Sequence, residues 1–248
     1  RAIRRARRQR RRWGGSARAS PCVTYSANAS RVRNGLASRE SRLFSLCHTY
    51  GIPIVIDEVH TCCRTGWPLL CQRFNLEMYP DIVTVGKATQ TAAVLFRDGY
   101  DADKALLSET NPGGAEEQLQ RGIHTLNTLA DEGYWGPNGK IMQLENALRI
   151  HFFRLKEHYP HVSYTVLGNM AAIRLPCFTK KETAQTFVDR LLEEQILTTT
   201  CGRDDQSFKV RMYIPLIIHP MQLRLAFAHI EKAVRSFGKD WKGGRFIE

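Results

Sequence analysis

At 248 residues the chain has room for one large or two small domains. Its hydrophobic fraction of 43% is that of an ordinary globular protein, and no run of about 18 apolar residues is present to cross a membrane as a helix. The formal net charge of +12 excludes less than it suggests: residues 1–39 hold twelve Arg with no Lys and no acid, and the remaining 24 basic residues balance the 24 acidic ones. The body is therefore neutral and lacks a basic helix, which counts against nucleic acid as a partner. Seven Cys without a CxxC pair point to reduced thiols in a reducing compartment, the cytoplasm first and the mitochondrion second. No metal site is expected. His60-Thr61-Cys62-Cys63 lacks the gap that lets neighbouring ligands converge on one ion.

In chain order, the Arg-dominated stretch up to about residue 37 cannot bury a core, so residues 1–37 are expected to be disordered or foreign to the fold. From Ser38, apolar Leu43, Phe44, Leu46 and Cys47 recur at helical spacing up to a stop at Gly51. Ile52 to Ile56 reads as a buried strand ending in the acids Asp57 and Glu58. "PDIVTVGKA" repeats the form, with Ile82, Val83 and Val85 running into Gly86-Lys87, and Ala92 to Phe96 gives another strand. Helix and buried strand in alternation predict an α/β sheet. After Gly114 two amphipathic helices follow, one through Leu119, Ile123, Leu126 and Leu129, the other through Ile141, Leu144, Leu148, Phe152 and Leu155. "VSYTVLGNMAAIRLP" reads as strands broken at Gly168, "KKETAQTFVDRLLEEQIL" as a helix, "FKVRMYIPLII" as a strand and the segment from Pro220 to Gly238 as a last helix. The expected division is residues 38–135 as part of a large α/β domain and residues 136–248 as a smaller α+β domain.

In α/β sheets ligands sit at the carboxyl ends of strands, where Asp57 and Lys87 both lie. A lysine there can form a Schiff base, and an acid can keep a pyridine nitrogen protonated, which is what pyridoxal phosphate requires. Partial desolvation of a strand-end lysine favours its free amine. Glu58 is expected to be a solvated strand end without a role.

"IVIDEVHTCCRTG" followed by "PDIVTVGKATQ" closely resembles the class-III aminotransferases, pyridoxal-phosphate enzymes of fold type I. The resemblance covers residues 38 to 238. "GKATQ" and the pair Gly113-Gly114 are most similar to the lysine 6-aminotransferase branch, with 4-aminobutyrate and ornithine aminotransferases as relatives. It implies that Asp57 bonds the pyridine nitrogen, that Val59 packs on the ring, and that His60, standing where the family has Gln, faces the phenolic oxygen. Lys87 is implied as the Schiff-base lysine and proton shuttle, Thr110 as a phosphate contact, and Arg211 as the clamp of a substrate carboxylate. It further implies amino-acid and 2-oxo-acid substrates and a homodimer. The resemblance begins partway through the family pattern. Residues 1 to 45 offer no Gly-rich phosphate turn, so the sequence reads as the C-terminal portion of such an enzyme, with an incomplete large-domain sheet, and an inactive remnant is the alternative.

Overall fold

The computed structural model of the protein describes residues 23–26, 36–100, 116–202, 208–239, 241–242 and 245–246. Most of the segment 1–37 and Thr110 lie outside these. The chain divides into two compact units, one holding Asn34–Cys62 and Leu70–Thr125 together with the first strand, the other holding Cys63–Leu69 and Leu126–Glu248.

The first unit is built on a four-stranded sheet in the order β1 (Val23–Ser26), β2 (Ile54–Asp57), β3 (Ile82–Val85), β4 (Ala93–Phe96). β1, β2 and β3 are parallel, and β4 runs antiparallel to β3. β1 lies inside the segment expected to be disordered. Four residues, VTYS, are too short for alternation to stand out beside so much Arg. Helix α1 (Leu36–Thr49) ends where Gly51 donates to the His48 carbonyl at 3.2 Å and Ile52 donates to the Cys47 carbonyl at 2.8 Å. It buries Phe44 and Cys47, while Leu43 and Leu46 of the expected apolar set are exposed.

Asp81 fixes β2 against β3. Its amide donates to the Ile54 carbonyl at 2.9 Å, and its carboxylate accepts the Ile54 amide at 2.9 Å. Both bonds set the register in which Asp57 lies opposite Thr84. Arg97 closes the far end, donating to the carbonyls of Pro80 and Glu77 at 2.6 and 2.8 Å. Two short helical pieces went unforeseen, α2 (Leu70–Arg73) and the 3₁₀ turn Lys87–Thr89. Helix α3 (Glu116–Asp131) starts in this unit and ends in the second.

The second unit carries helix α4 (Lys140–His158), strands β5 (Ser163–Leu167) and β6 (Met170–Arg174), helix α5 (Lys181–Glu193), strands β7 (Thr199–Cys201) and β8 (Lys209–Tyr213), and helix α6 (Pro220–Lys239). A two-residue pair, β9 (Trp241–Lys242) with β10 (Arg245–Phe246), follows. The main sheet has the order β5-β6-β8-β7, antiparallel throughout. α4, α5 and α6 share with it one contiguous core. Phe152 packs at 5.1 Å on Tyr164 and at 4.8 Å on Phe227. Phe178, Phe187 and Phe237 form a second aromatic cluster with centroids 5.3–6.2 Å apart. At one end Glu145, 2% exposed, takes two bonds from Arg149 at 3.0 and 2.7 Å and the Gly168 amide on its other oxygen. Arg149, itself exposed, also reaches the Val166 carbonyl at 2.9 Å, so the pair pins the β5–β6 turn to α4.

Candidate functional site

Asp57 stands at the carboxyl end of β2, half-buried, with Thr84 of β3 beside it. Its Oδ1 accepts the Thr84 hydroxyl at 3.0 Å and the Val59 amide at 3.1 Å. Oδ2 has no hydrogen-bond partner among the described residues and is left for another donor. The carboxylate is thus oriented through one oxygen and available through the other.

Lys87 follows β3 by two residues and opens the 3₁₀ turn. Its φ is 56° and that of Gln90 is 61°, two left-handed residues in four. Such conformations cost about 1–3 kcal/mol each and persist where surroundings impose them, often at functional sites. Here the surroundings are identifiable. Gln90 donates to the Lys87 carbonyl at 3.1 Å, and the Thr89 hydroxyl donates to the Thr91 carbonyl at 2.6 Å. The Cys62 thiol donates to the Gly86 carbonyl at 3.0 Å. Gly122 of α3 lies so close that a Cβ there would be 2.6 Å from the Thr89 carbonyl oxygen. The sequence reading passed over Gly122, although a lone glycine inside a helical pattern is the signal of such a close approach.

The Lys87 amine is exposed and unpaired among the described residues, where partial desolvation was expected. Two residues past the end of β3, it has left the sheet's cover. Val59 is half-buried, its methyls 3.5 and 3.8 Å from where a Cβ on Gly86 would sit, so it packs beside the backbone that leads to Lys87. His60 is half-buried next to it.

Glu58 overturns its expectation of a solvated strand end. It is 0% exposed and accepts the amides of Leu70 and Cys71 at 2.5 and 3.0 Å and the Thr61 hydroxyl at 3.2 Å. These amides are the unsatisfied first turn of α2, so the residue after Asp57 caps the helix that closes the following loop. Burial pushes the Glu58 carboxyl above its ordinary value, against the pull of those donors. Burial, with Glu58 beside it, also pushes the Cys71 thiol up to about 12, which keeps it protonated and inert. Cys47, Cys62, Cys63, Cys71, Cys177 and Cys201 are all free thiols.

Arg211 lies on β8 in the second unit, opposite Ala172 of β6 and Thr199 of β7. It is half-buried, its guanidinium 5.1 Å from the centre of the Tyr213 ring.

The donor set of the first unit is a strand-end carboxylate with one free oxygen, an unpaired primary amine on the neighbouring strand end and an apolar side chain beside them. It fits the ring end of pyridoxal phosphate. Among the described residues no helix N-terminus with a Gly-rich turn offers itself to the phosphate.

L-lysine-epsilon aminotransferase of Mycobacterium bovis is 26% identical over 198 residues, which cover 76% of this chain and 41% of that protein; the Mycobacterium tuberculosis protein of the same description matches equally. The chain therefore spans about two-fifths of the length of the curated relatives it matches. Among solved structures, lysine aminotransferase from M. tuberculosis in the internal aldimine form superposes with a TM-score of 0.63 at 20% identity, over 81% of this chain and 46% of that one. Plasmodium falciparum ornithine delta-aminotransferase does so with a TM-score of 0.67 at 21% identity, over 89% and 58%. These likenesses show the fold, part of a fold-type-I aminotransferase with mixed α/β architecture. The family profile Aminotransferase class-III matches residues 38–234, most of the chain, and the protein belongs to that family.

Proposed function

We propose that the protein is a pyridoxal-phosphate-dependent aminotransferase that takes an amino group from the terminal amine of a lysine-like amino acid and passes it to 2-oxoglutarate. The observation that carries this reading is the pairing of Asp57 and Lys87 at the ends of adjacent parallel strands, one carboxylate oxygen and the amine both free. The lysine-like donor rests on the description of the curated relatives. The bound cofactor supplies an electron sink. Asp57, held by Thr84, would keep a proton on the pyridine nitrogen. Val59 would pack against the ring face, and His60 would donate to the phenolic oxygen. Lys87 would hold the cofactor and then carry a proton as a general base. Thr110 would meet the phosphate. Arg211 would bind a substrate carboxylate, and the working form would be a homodimer.

Two measurements test this. Protein incubated with pyridoxal phosphate acquires a visible absorption band that Lys87→Ala abolishes; an unchanged spectrum in the variant rejects Lys87. With lysine as donor and 2-oxoglutarate as acceptor, Arg211→Lys keeps the band and lowers kcat/KM by about ten- to a hundredfold, the loss of a bidentate charge-assisted contact. Ornithine or 4-aminobutyrate outperforming lysine would move the donor to those classes.

A further inference from the structure

The second unit places a second arginine beside Arg211. Arg64 belongs to the Cys63–Leu69 stretch and is fixed by its backbone. Its carbonyl accepts the Asn169 amide at 3.0 Å. Gly168, with φ at +59°, comes so near that a Cβ there would overlap the Arg64 carbonyl at 1.8 Å, so only glycine fits. The same turn is tied to the chain after β8, where Ile214 donates to the Asn169 carbonyl at 2.9 Å and the Asn169 amide group donates to the Ile214 carbonyl at 2.7 Å. The β5–β6 turn, the end of β8 and the Arg64 segment therefore meet at one point.

At that point the Arg64 guanidinium stands 5.1 Å from the centre of the Tyr213 ring, the distance at which the Arg211 guanidinium stands from the same ring. The Nε of each arginine is buried and has no hydrogen-bond acceptor. Neither side chain has an ion-pair or hydrogen-bond partner among the described residues. The ring face attracts both cations but offers no acceptor for their N–H groups. Two buried, unsatisfied donors on two like charges that share one aromatic ring are a costly arrangement, and a native structure that keeps it calls for an explanation. A planar anion with two acceptor oxygens relieves both deficits at once, because it matches the guanidinium fork and neutralises the repulsion.

We propose that Arg64 and Arg211 bind one substrate carboxylate jointly, with Tyr213 as its floor. This makes Arg64 a substrate-binding residue in its own right. The inference rests on the reading of Arg211 as a carboxylate ligand but not on the cofactor chemistry. No proton moves and no bond forms in this step; it is recognition alone. The structural task of Arg64 is performed by its backbone carbonyl, so changes to its side chain spare the turn.

The test is calorimetric titration of the full chain with 2-oxoglutarate, carried out in the Lys87→Ala background so that failure of the cofactor reading and failure of this one are separable. Arg64→Gln and Arg211→Gln each weaken binding by about ten- to a hundredfold. Because one carboxylate is shared, the double variant is weaker than either single variant by much less than the product of the two losses. Arg64→Lys, which keeps the charge without the fork, falls between parent and Arg64→Gln and serves if the Gln variant fails to fold. Far-ultraviolet circular dichroism and the thermal midpoint check folding. No measurable binding by the Lys87→Ala chain overturns the proposal, as does Arg64→Gln or Arg64→Lys binding like that parent. Losses that multiply fully in the double variant overturn the shared carboxylate.

Discussion

The two four-stranded sheets answer the same problem differently. The sheet of the second unit is antiparallel, and three helices of its own unit cover it. Its inner strand β6 is buried from Met170 to Ile173. The mixed sheet of the first unit ends in the antiparallel strand β4, whose four residues are all exposed, Val94 at 55%, Leu95 at 47% and Phe96 at 46%. Apolar side chains on both faces of an edge strand are surface a lone domain normally avoids. Beside a smaller set of buried apolar side chains, Phe44, Ile54, Ile56, Val83 and Val85 among them, that sheet carries specific polar bonds: Asp81 on Ile54, Arg97 on the Pro80 and Glu77 carbonyls, Glu58 on the first turn of α2. The difference teaches where stability and function reside. One unit is kept together by its apolar core. The other adds to its buried side chains specific hydrogen bonds at both ends of the strands that carry Asp57 and Lys87.

The largest expected effect therefore belongs to the core of the second unit. Phe152 is fully buried between Tyr164 and Phe227. Phe152→Ala leaves a cavity and costs about 3–5 kcal/mol, read as a drop in the denaturant midpoint. Removing an exposed aromatic of similar size, as in Phe153→Ala at 56% exposure, stays within about 0.5 kcal/mol. Equal losses at the two positions would erase the distinction between a packed and a solvated face of α4.

Much of this contrast was legible in the sequence. Ile82 to Val85 between Pro80 and Gly86 was unmistakable as a strand, and the helical periodicities of α4, α5 and α6 stood out because burial selects one face over many turns. Asp57 and Lys87 were found because they end two such runs. The rest depended on contacts distant in sequence. Glu58 reads as a solvated terminus unless one knows that the chain returns at Leu70 with four unsatisfied amides, and LCQR is too short to declare itself a helix. β1 offers four residues of pattern. Arg64 stands in a legible Arg-Thr-Gly, but its partners, Asn169 and Tyr213, are more than a hundred residues away. The exposure of Lys87 followed from its distance past β3, which the sequence does not record.

Glu58→Gln probes the polar half of the comparison. The amide retains one good acceptor for Leu70 or Cys71 and turns its NH2 toward the other donor. The expected cost is about 1–3 kcal/mol, below that of Phe152→Ala. Its pH dependence has a definite sign. The folded carboxyl lies above its ordinary value, so the folded state holds the proton more tightly than the unfolded chain. The stabilisation this gives is complete below the ordinary value and is lost as pH rises through the folded one. The gap between parent and Glu58→Gln accordingly narrows as pH rises through that window. Denaturant titrations at several pH values measure it. A gap that widens instead means the backbone donors outweigh burial and Glu58 works as a carboxylate.

The smallest effect on stability is expected at Gly122, where two terms oppose. Alanine in the middle of α3 favours the helix by about 0.8–1 kcal/mol. Its Cβ, however, would meet the Thr89 carbonyl oxygen at 2.6 Å, and that oxygen is backbone and cannot swing aside. The Lys87–Thr89 turn must shift, or α3 must. Global stability then changes little, because the gain in helix propensity offsets the strain, while the turn itself loosens. The Gln90 amide, which donates to the Lys87 carbonyl at 3.1 Å, reports this directly. Its hydrogen exchange speeds up in Gly122→Ala, whereas amides in β3 keep their protection. The visible band formed with pyridoxal phosphate weakens with it. If the Gln90 amide exchanges as in the parent and the band is undiminished, the close approach of α3 does not hold the lysine turn, and the left-handed conformation of Lys87 has its cause within the turn itself.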